Sequence, residues 1–299
     1  MERFVCIDIG GTDMKYGLAD RHGHFLHKAS RPTHIREEGV QAILSGITEI
    51  VQAYQEKNTL GGIAISTAGI VDPEAGKIIF ANPHLKGYTG TELKLIVEAA
   101  LALPCEVEND VNCAGLGEYW LGSGQGARSL FCITVGTGLG GCVILNGRLV
   151  SGAGYSADEV GFLRIPEKGT LEELASTTRL ITETAEGLRV LPDTLNGRKI
   201  FALAKEGNIV AGRAIDRLCQ RLALGMANIC YVLDPELIVL GGGIMAQEEY
   251  LKPRLQSAFA RAAAPGLCKH TRLAFARLHN DAGMLGALYN FLQRQGKTE

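Results

Sequence analysis

The feature that most limits how this chain folds is a pattern that occurs twice. A β-rich apolar run, Phe4 to Ile9, meets the turn Gly10-Gly11-Thr12 and returns as a strand from Met14 to Ala19. A second run, Leu130 to Val135, meets Gly136-Thr137-Gly138-Leu139-Gly140-Gly141 and returns from Gly141 to Leu145. Apolar β-formers bounded by glycine are the local signature of paired strands. One such unit at the head of each half suggests two similar lobes, each presenting a tight backbone turn to a shared cleft. The echo is too short to establish an internal repeat.

The rest of the pattern alternates. His24 to Ala29 reads as a third strand. Glu38 to Lys57 places Val40, Ile43, Leu44, Ile47, Ile50 and Val51 at helical spacing. Gly62 to Ser66 is a strand, followed by a hairpin through Gly76 and a helix from Thr91 to Leu101, with Thr89 or Thr91 as its cap. Cys105 to Val107 is a short strand joined to a helical run, Val111 to Leu121. The flexible stretch Gly122-Ser123-Gly124-Gln125-Gly126 marks a lobe boundary. Beyond it, Asn146-Gly147 is a hairpin signal. Leu171 to Ala185, Arg198 to Lys205, Ile209 to Leu233 and Gln247 to Ala263 read as helices. Glu236 to Leu240 and Arg272 to Ala276 read as strands. Strands alternating with helices predict an α/β fold. The expected lobes are 1–121 and 122–280, with the C-terminal helix of 281–299 packing back on the first.

Charge narrows the function. Thirty basic against 32 acidic side chains leave a formal charge of −2, with no electrostatic basis for nucleic acid or an anionic membrane. No apolar run approaches the roughly 20 residues of a spanning helix. The start enters a strand directly and lacks the pattern of a cleaved signal. Of eight cysteines, Cys6, Cys132, Cys142 and Cys230 sit in apolar runs. With no CxxC or Cys/His cluster, neither a disulfide framework nor a zinc site is expected, and a reducing cytoplasm fits.

Glycine lets backbone approach a ligand closely, and successive N–H groups in such a turn make an anion-binding concavity. Gly10, Gly11 and Thr12 form one candidate phosphate grip, and Gly136, Thr137 and Gly138 another. Ordinary hairpin turns are the simpler reading of either alone. Gly136-x-Gly138-x-x-Gly141 matches the dinucleotide fingerprint formally, but that fingerprint needs a following helix, and Cys142 to Leu145 is strand-like. Gly241 to Gly243 ends a strand, where a nucleoside could lie flat or where strand and helix simply crowd. Asp8 beside the first turn suits a Mg²⁺ ion, held directly or through water, or else stabilises the turn. Asp110, at a strand-to-helix junction, reaches into a cleft or caps the helix.

Six stretches occur in one order: DIGGT from Asp8, STAG from Ser66, VENDVN from Val107, VGTGLGG from Val135, DEVGF from Asp158 and IVLGGG from Ile238. The set resembles the ROK family of sugar kinases and related repressors, within the actin-like ATPase superfamily. The resemblance runs from the first strand to Asn280-Asp281-Ala282-Gly283. It implies a two-lobed actin-like ATPase (ribonuclease H-like) fold with nucleotide and sugar in the interlobe cleft. It also implies Asp110 as catalytic base, Asn109, Glu159 and Glu172 as sugar ligands, and Gly69 as a backbone contact to the sugar. Family repressors carry an N-terminal helix-turn-helix, which is not expected where the chain begins on its first strand.

Three departures stand out. Most family members bind zinc through a His and a CxCGxxGC stretch. Here Phe162 stands at the His position and Arg164 to Thr170 has no cysteine, so the loop is expected to be held by packing. The family's lysine after DIGGT is Asp13, with Lys15 two residues later as the candidate nucleotide ligand. The family's PNLxGW reads Pro83-His84-Leu85-Lys86-Gly87-Tyr88. The zinc-less form resembles the β-glucoside kinase branch.

The expectation is therefore an ATP- and Mg²⁺-dependent kinase for the 6-hydroxyl of a hexose or hexoside, with a β-glucoside or glucose favoured. N-acetylmannosamine is the alternative acceptor, and His84 and Phe162 are where specificity would differ. A sugar-sensing regulator without catalysis is the alternative class, disfavoured by intact Asp8 and Asp110. Leu222, Met226, Ile229 and Val232 read as core or partly as a dimer face. A homodimer is expected because ROK kinases are often dimers.

Overall fold

The computed structural model describes residues 2–298. Met1 and Glu299, the ends of the expected lobes, lie outside the described residues. The chain forms two compact units. One takes the chain up to Leu121, Ser151–Ser156 and the chain from Asn280 onward; the other takes Gly122–Val150 and Ala157–His279.

In the first unit β1 (Arg3–Ile9), β2 (Asp13–Ala19), β3 (Phe25–Pro32) and β4 (Leu60–Thr67) are followed by a small hairpin, β5 (Ile70–Asp72) with β6 (Lys77–Phe80), and by β7 (Cys105–Asn109). The main sheet runs β3-β2-β1-β4-β7. Its first pairs are antiparallel, and β1 with β4 and β4 with β7 are parallel. Helices α1 (Ile35–Glu38), α2 (Val40–Gln55), α3 (Leu93–Leu101) and α4 (Asp110–Leu121) complete this stretch. Strand side chains alternate between faces. Val5, Ile7, Ile9, Ile63, Ile65 and Val107 therefore pack with Ile43, Ile47 and Val97 of α2 and α3. Phe4, Cys6 and Ala64 point to the opposite face.

The expected helix of 38–57 begins instead at Val40, because Gly39 at φ 73° interrupts it. The predicted threonine cap of α3 does not form. Thr89 Oγ1 accepts from Ala81 N at 3.0 Å, and Thr91 Oγ1 donates to Gly87 O at 3.1 Å.

The second unit repeats the scheme with β8 (Ser129–Val135), β9 (Leu139–Leu145), β10 (Arg148–Leu149), β11 (Leu237–Gly241) and β12 (Arg272–Phe275), in the order β10-β9-β8-β11-β12. β9 returns antiparallel to β8 with no helix between them, which removes the dinucleotide fold. Helices α5 (Leu171–Ala175), α6 (Thr177–Leu188), α7 (Gly197–Lys205), α8 (Ile209–Leu233) and α9 (Glu248–Ala262) pack around this sheet. The single helix expected over 171–185 is two helices. Ser176 is extended, and its hydroxyl accepts from Arg179 N at 3.3 Å, starting α6 afresh. Leu222, Met226 and Ile229 of α8 are core, whereas Val232 is 83% exposed.

The last helix, α10 (Ala282–Arg294), belongs to the first unit. Met284, Leu288 and Phe291 cover Phe4, Cys6 and Ala64. α10 and α4 approach so closely that a Cβ on Gly286 would collide with the Cys113 carbonyl. Arg294 and Gln295 both donate to buried Glu106, at 3.0 and 2.7 Å. Among the described residues, no helix is long and apolar enough to cross a membrane.

Candidate active site

The first unit gathers its polar groups at the C-terminal ends of β1, β4 and β7. β7 ends on Asn109 and α4 begins on Asp110. Asn109 Oδ1 accepts from Val111 N and Asn112 N at 2.9 and 3.0 Å, so the side chain of Asn109 takes the second and third amides of α4. Its Nδ2 donates to Gly69 O at 2.9 Å and to Asp110 Oδ1 at 3.1 Å. Asp110 Oδ1 also accepts from Val111 N at 2.9 Å. The carboxylate is thus oriented by Asn109 Nδ2 and Val111 N at a helix N-terminus. Asn109 and Gly69, both expected at the sugar, hold each other in this structure. Gly69 sits at φ 109°, and a Cβ there would crowd Phe80 O.

Strand register explains the surroundings of Asp8. Asp8 lies opposite Lys15 on β2 and Ser66 on β4, and Ser66 lies opposite Glu108 on β7. Four polar side chains thus form one row on one face. Asp8 accepts from Ser66 Oγ at 2.7 Å and from Lys15 Nζ at 3.3 Å. Lys15 therefore meets the carboxylate of Asp8. Gly283, in the first turn of α10, is bare where a Cβ would lie 2.9 Å from the Asp8 carboxylate. Glu108 is buried and accepts from Asn109 N and Asn112 Nδ2 at 2.8 and 2.9 Å. Its burial pushes its carboxyl above the ordinary range. Ser66, Glu108 and Gly283 were not singled out from sequence. The register that brings them together is the signal, and it is a tertiary one.

The first turn is closed by Gly10 N donating to Asp13 O at 2.9 Å, and Thr12 O accepts from Thr33 N at 2.8 Å. Beside it Tyr88, at the family's tryptophan position, is buried and shares a 2.6 Å hydrogen bond with Thr67. His84 stays exposed.

The second unit builds its own cluster on the β8–β9 turn. Gly136 N donates to Gly138 O at 2.9 Å. The start of α6 clamps this turn: Thr177 N donates to Gly136 O at 2.9 Å and Thr178 Oγ1 to Thr137 O at 2.8 Å. Glu172 Oε2 accepts from Leu139 N at 2.9 Å, and a Cβ on Gly138 would lie 2.5 Å from that oxygen. Gly138 is therefore bare for Glu172, while nothing lies within 4 Å of a Cβ on Gly136. Burial first, then the charge of Glu172, raises the carboxyl pKa of Glu159. Asp158 Oδ2 accepts from Val143 N at 2.9 Å, and burial pushes this carboxyl up to about 6. Of the three glycines that end and follow β11, Gly242 at φ 99° is pressed against Val135, whereas Gly243 has open space where a side chain would be. Crowding accounts for Gly242 alone.

The loop expected to rest on packing alone has polar supports as well. Arg164 pairs with Thr170 as an isolated bridge, and Thr170 with Glu173 forms a capping box on α5. Arg221, itself buried, donates to Glu167 at 2.9 and 2.7 Å and to Glu183 at 2.8 Å. Ile165 is buried beneath the loop.

Two sheets of matching construction carry five of the six stretches, DEVGF lying in the loop after β10, and the ROK family model matches residues 4–294. The chain belongs to the ROK family. The β-glucoside kinase of Listeria monocytogenes is 32% identical over 307 residues, covering 99% of this chain and 100% of that protein. A ROK family glucokinase from Streptomyces griseus, solved with glucose and AMPPNP, superposes with a TM-score of 0.83 at 30% identity, over 98% of this chain and 100% of that one. A ROK family protein from Streptococcus pneumoniae, solved with sucrose, gives a TM-score of 0.85 at 30% identity, over 99% and 100%.

This ROK protein is a carbohydrate kinase that phosphorylates a hexose or hexoside with ATP. ROK kinases work with Mg²⁺, and the donor set here fits that ion. Asp8 offers a carboxylate, and among the described residues no three His, Cys, Asp or Glu side chains form a metal cage. Mg²⁺ commonly keeps several waters and shares substrate phosphates in this way.

Proposed function

We propose that this ROK kinase transfers the γ-phosphoryl group of ATP to the 6-hydroxyl of a glucose or β-glucoside. The observation that carries the reading is the fixed carboxylate of Asp110. Its Oδ1 is held by Asn109 Nδ2 and Val111 N, so the group stands as a preset proton acceptor. Asp110 takes the proton of the sugar hydroxyl as its oxygen bonds to the γ-phosphorus, and the bond to the leaving ADP oxygen breaks in line. Asp8 would hold Mg²⁺, which neutralises phosphate charge when bound. Gly10, Gly11 and Thr12, Gly136 to Gly138, Lys15 and Gly241 to Gly243 are assigned to the nucleotide. Asn109, Gly69, Glu159 and Glu172 are assigned to the sugar.

For Asn109 and Gly69 this assignment requires exchange, because their amide–carbonyl bond must share or yield to sugar hydroxyls. Glu172 must share in the same way, because its Oε2 already accepts from Leu139 N, whereas Glu159 is exposed. The β-glucoside kinase and glucose-bound glucokinase relatives support the glucosyl preference. The protein is assigned as a homodimer.

The test is ADP release measured over a panel of glucose, β-glucosides, N-acetylmannosamine and other hexoses, followed by product analysis. The expected result is turnover on a glucosyl acceptor with phosphate at the 6-position. Turnover restricted to N-acetylmannosamine would overturn the acceptor, and none on any sugar would overturn the reaction.

A further inference from the structure

The loop that carries Glu159 closes in a single 3₁₀ turn, Val160–Phe162. Phe162 N donates to Glu159 O at 3.1 Å. A four-residue turn brings its end residues within about 7 Å at Cα, so the phenyl ring and the Glu159 carboxylate start from neighbouring points of the backbone. The residues between them are committed elsewhere. Val160 is buried in the core. Gly161 is wedged so that a Cβ would meet Leu139 O at 2.5 Å and Glu172 Cβ at 3.4 Å. The turn therefore has little freedom to swing, and it leaves Phe162 73% exposed.

A rigid, exposed phenyl ring beside two exposed carboxylates is a composite surface. The carboxylates accept hydrogen bonds from hydroxyls. The ring offers a flat apolar face and no hydrogen bond. A molecule that uses both has a hydroxyl-rich ring joined to a flat or apolar one. Free hexose supplies only the first.

We propose that Phe162 forms an aglycone subsite, stacking on the second ring of a β-glucoside whose glucosyl hydroxyls reach Glu159 and Glu172. The inference rests on the hexose-kinase function proposed above and narrows it from hexose to hexoside. Phe162 touches the group that does not react, so it governs specificity and not the chemical step.

The test compares kcat/KM of the wild type, Phe162→Ala and Phe162→Tyr on glucose and on phenyl β-glucoside. Phe162→Ala is expected to lose about tenfold more on the glucoside than on glucose, the size of one aromatic contact, with the loss in KM. Phe162→Tyr, which keeps the ring, is expected to preserve the wild-type ratio of the two substrates. An equal loss on both would show a merely structural role and overturn the inference, as would an unchanged ratio in Phe162→Ala. A wild type that phosphorylates glucose but not the glucoside overturns it too, leaving the kinase function standing. A wild type active on neither removes the function and this subsite with it.

Discussion

Asp110 and Asn109 divide between them a task that either residue type performs alone elsewhere. Asn109 takes the helix amides, and Asp110 keeps a defined orientation for chemistry. Asp110→Asn preserves shape and removes the proton acceptor, so turnover should fall at least about a hundredfold. ATP binding, followed by calorimetry, should stay near the wild-type value. Retention of most of the turnover would take the base role away from Asp110. A second residue tests electrostatics. The Asp158 carboxyl is raised to about 6 by burial, so its neutral form is the one the fold favours. Its contribution to stability is present below the ordinary aspartate value of about 4 and is lost as pH rises through about 6. Asp158→Asn keeps an oxygen for Val143 N and cannot ionise. The melting temperature of Asp158→Asn relative to wild type should therefore climb between about pH 4 and about pH 7. A difference independent of pH would refute the assignment. At this scale Asp8 and Asp110 drew notice only through the ordered set of motifs, since each alone reads as a turn or cap residue. Ser66 was not, because its partner Asp8 lies 58 residues away and only the strand register brings them face to face.

Elements were legible where one period ran unbroken. Apolar runs bounded by glycine marked β1 and β4, and helical spacing marked α8 from Ile209 to Leu233. The break at Ser176 was hidden, because apolar spacing continues across it and a side-chain cap decides the matter. Ser176→Ala should cost about 1 kcal/mol, seen as a lower urea midpoint. The functional sign should be a weaker nucleotide affinity, since α6 begins where Thr177 and Thr178 hold the β8–β9 turn. An unchanged affinity at reduced stability would separate the clamp from the turn. The crossing of α4 and α10 is equally hidden in sequence, where Gly286 looks like a weak helix residue. Its bare Cα is what allows contact with Cys113. Gly286→Ala improves helix propensity yet should destabilise by about 1–3 kcal/mol through overpacking. An increase in thermal stability would show that the helices separate at little cost.

Across the whole molecule, the twofold strand–turn–strand pattern was legible as two sheets of the same design, and the family match agrees. The dimer was harder to read. Three of the four residues considered for it are core, and Val232 with Tyr231, 83% and 46% exposed, remains to represent that surface. Light scattering is expected to give twice the 32.0 kDa chain mass, and Val232→Glu is expected to shift the population toward single chains. A wild-type mass of one chain would end the dimer proposal. The placement of α10 has a consequence of its own. On the ribosome β1 waits for α10, which begins only at Ala282, because Met284, Leu288 and Phe291 are what close over Phe4 and Cys6. This sheet emerges with one oily side bare and keeps it so until α10 has been made, when nascent chains otherwise mature from the front. A message cut short before the codons of α10 should therefore yield not a smaller working enzyme but a chaperone client.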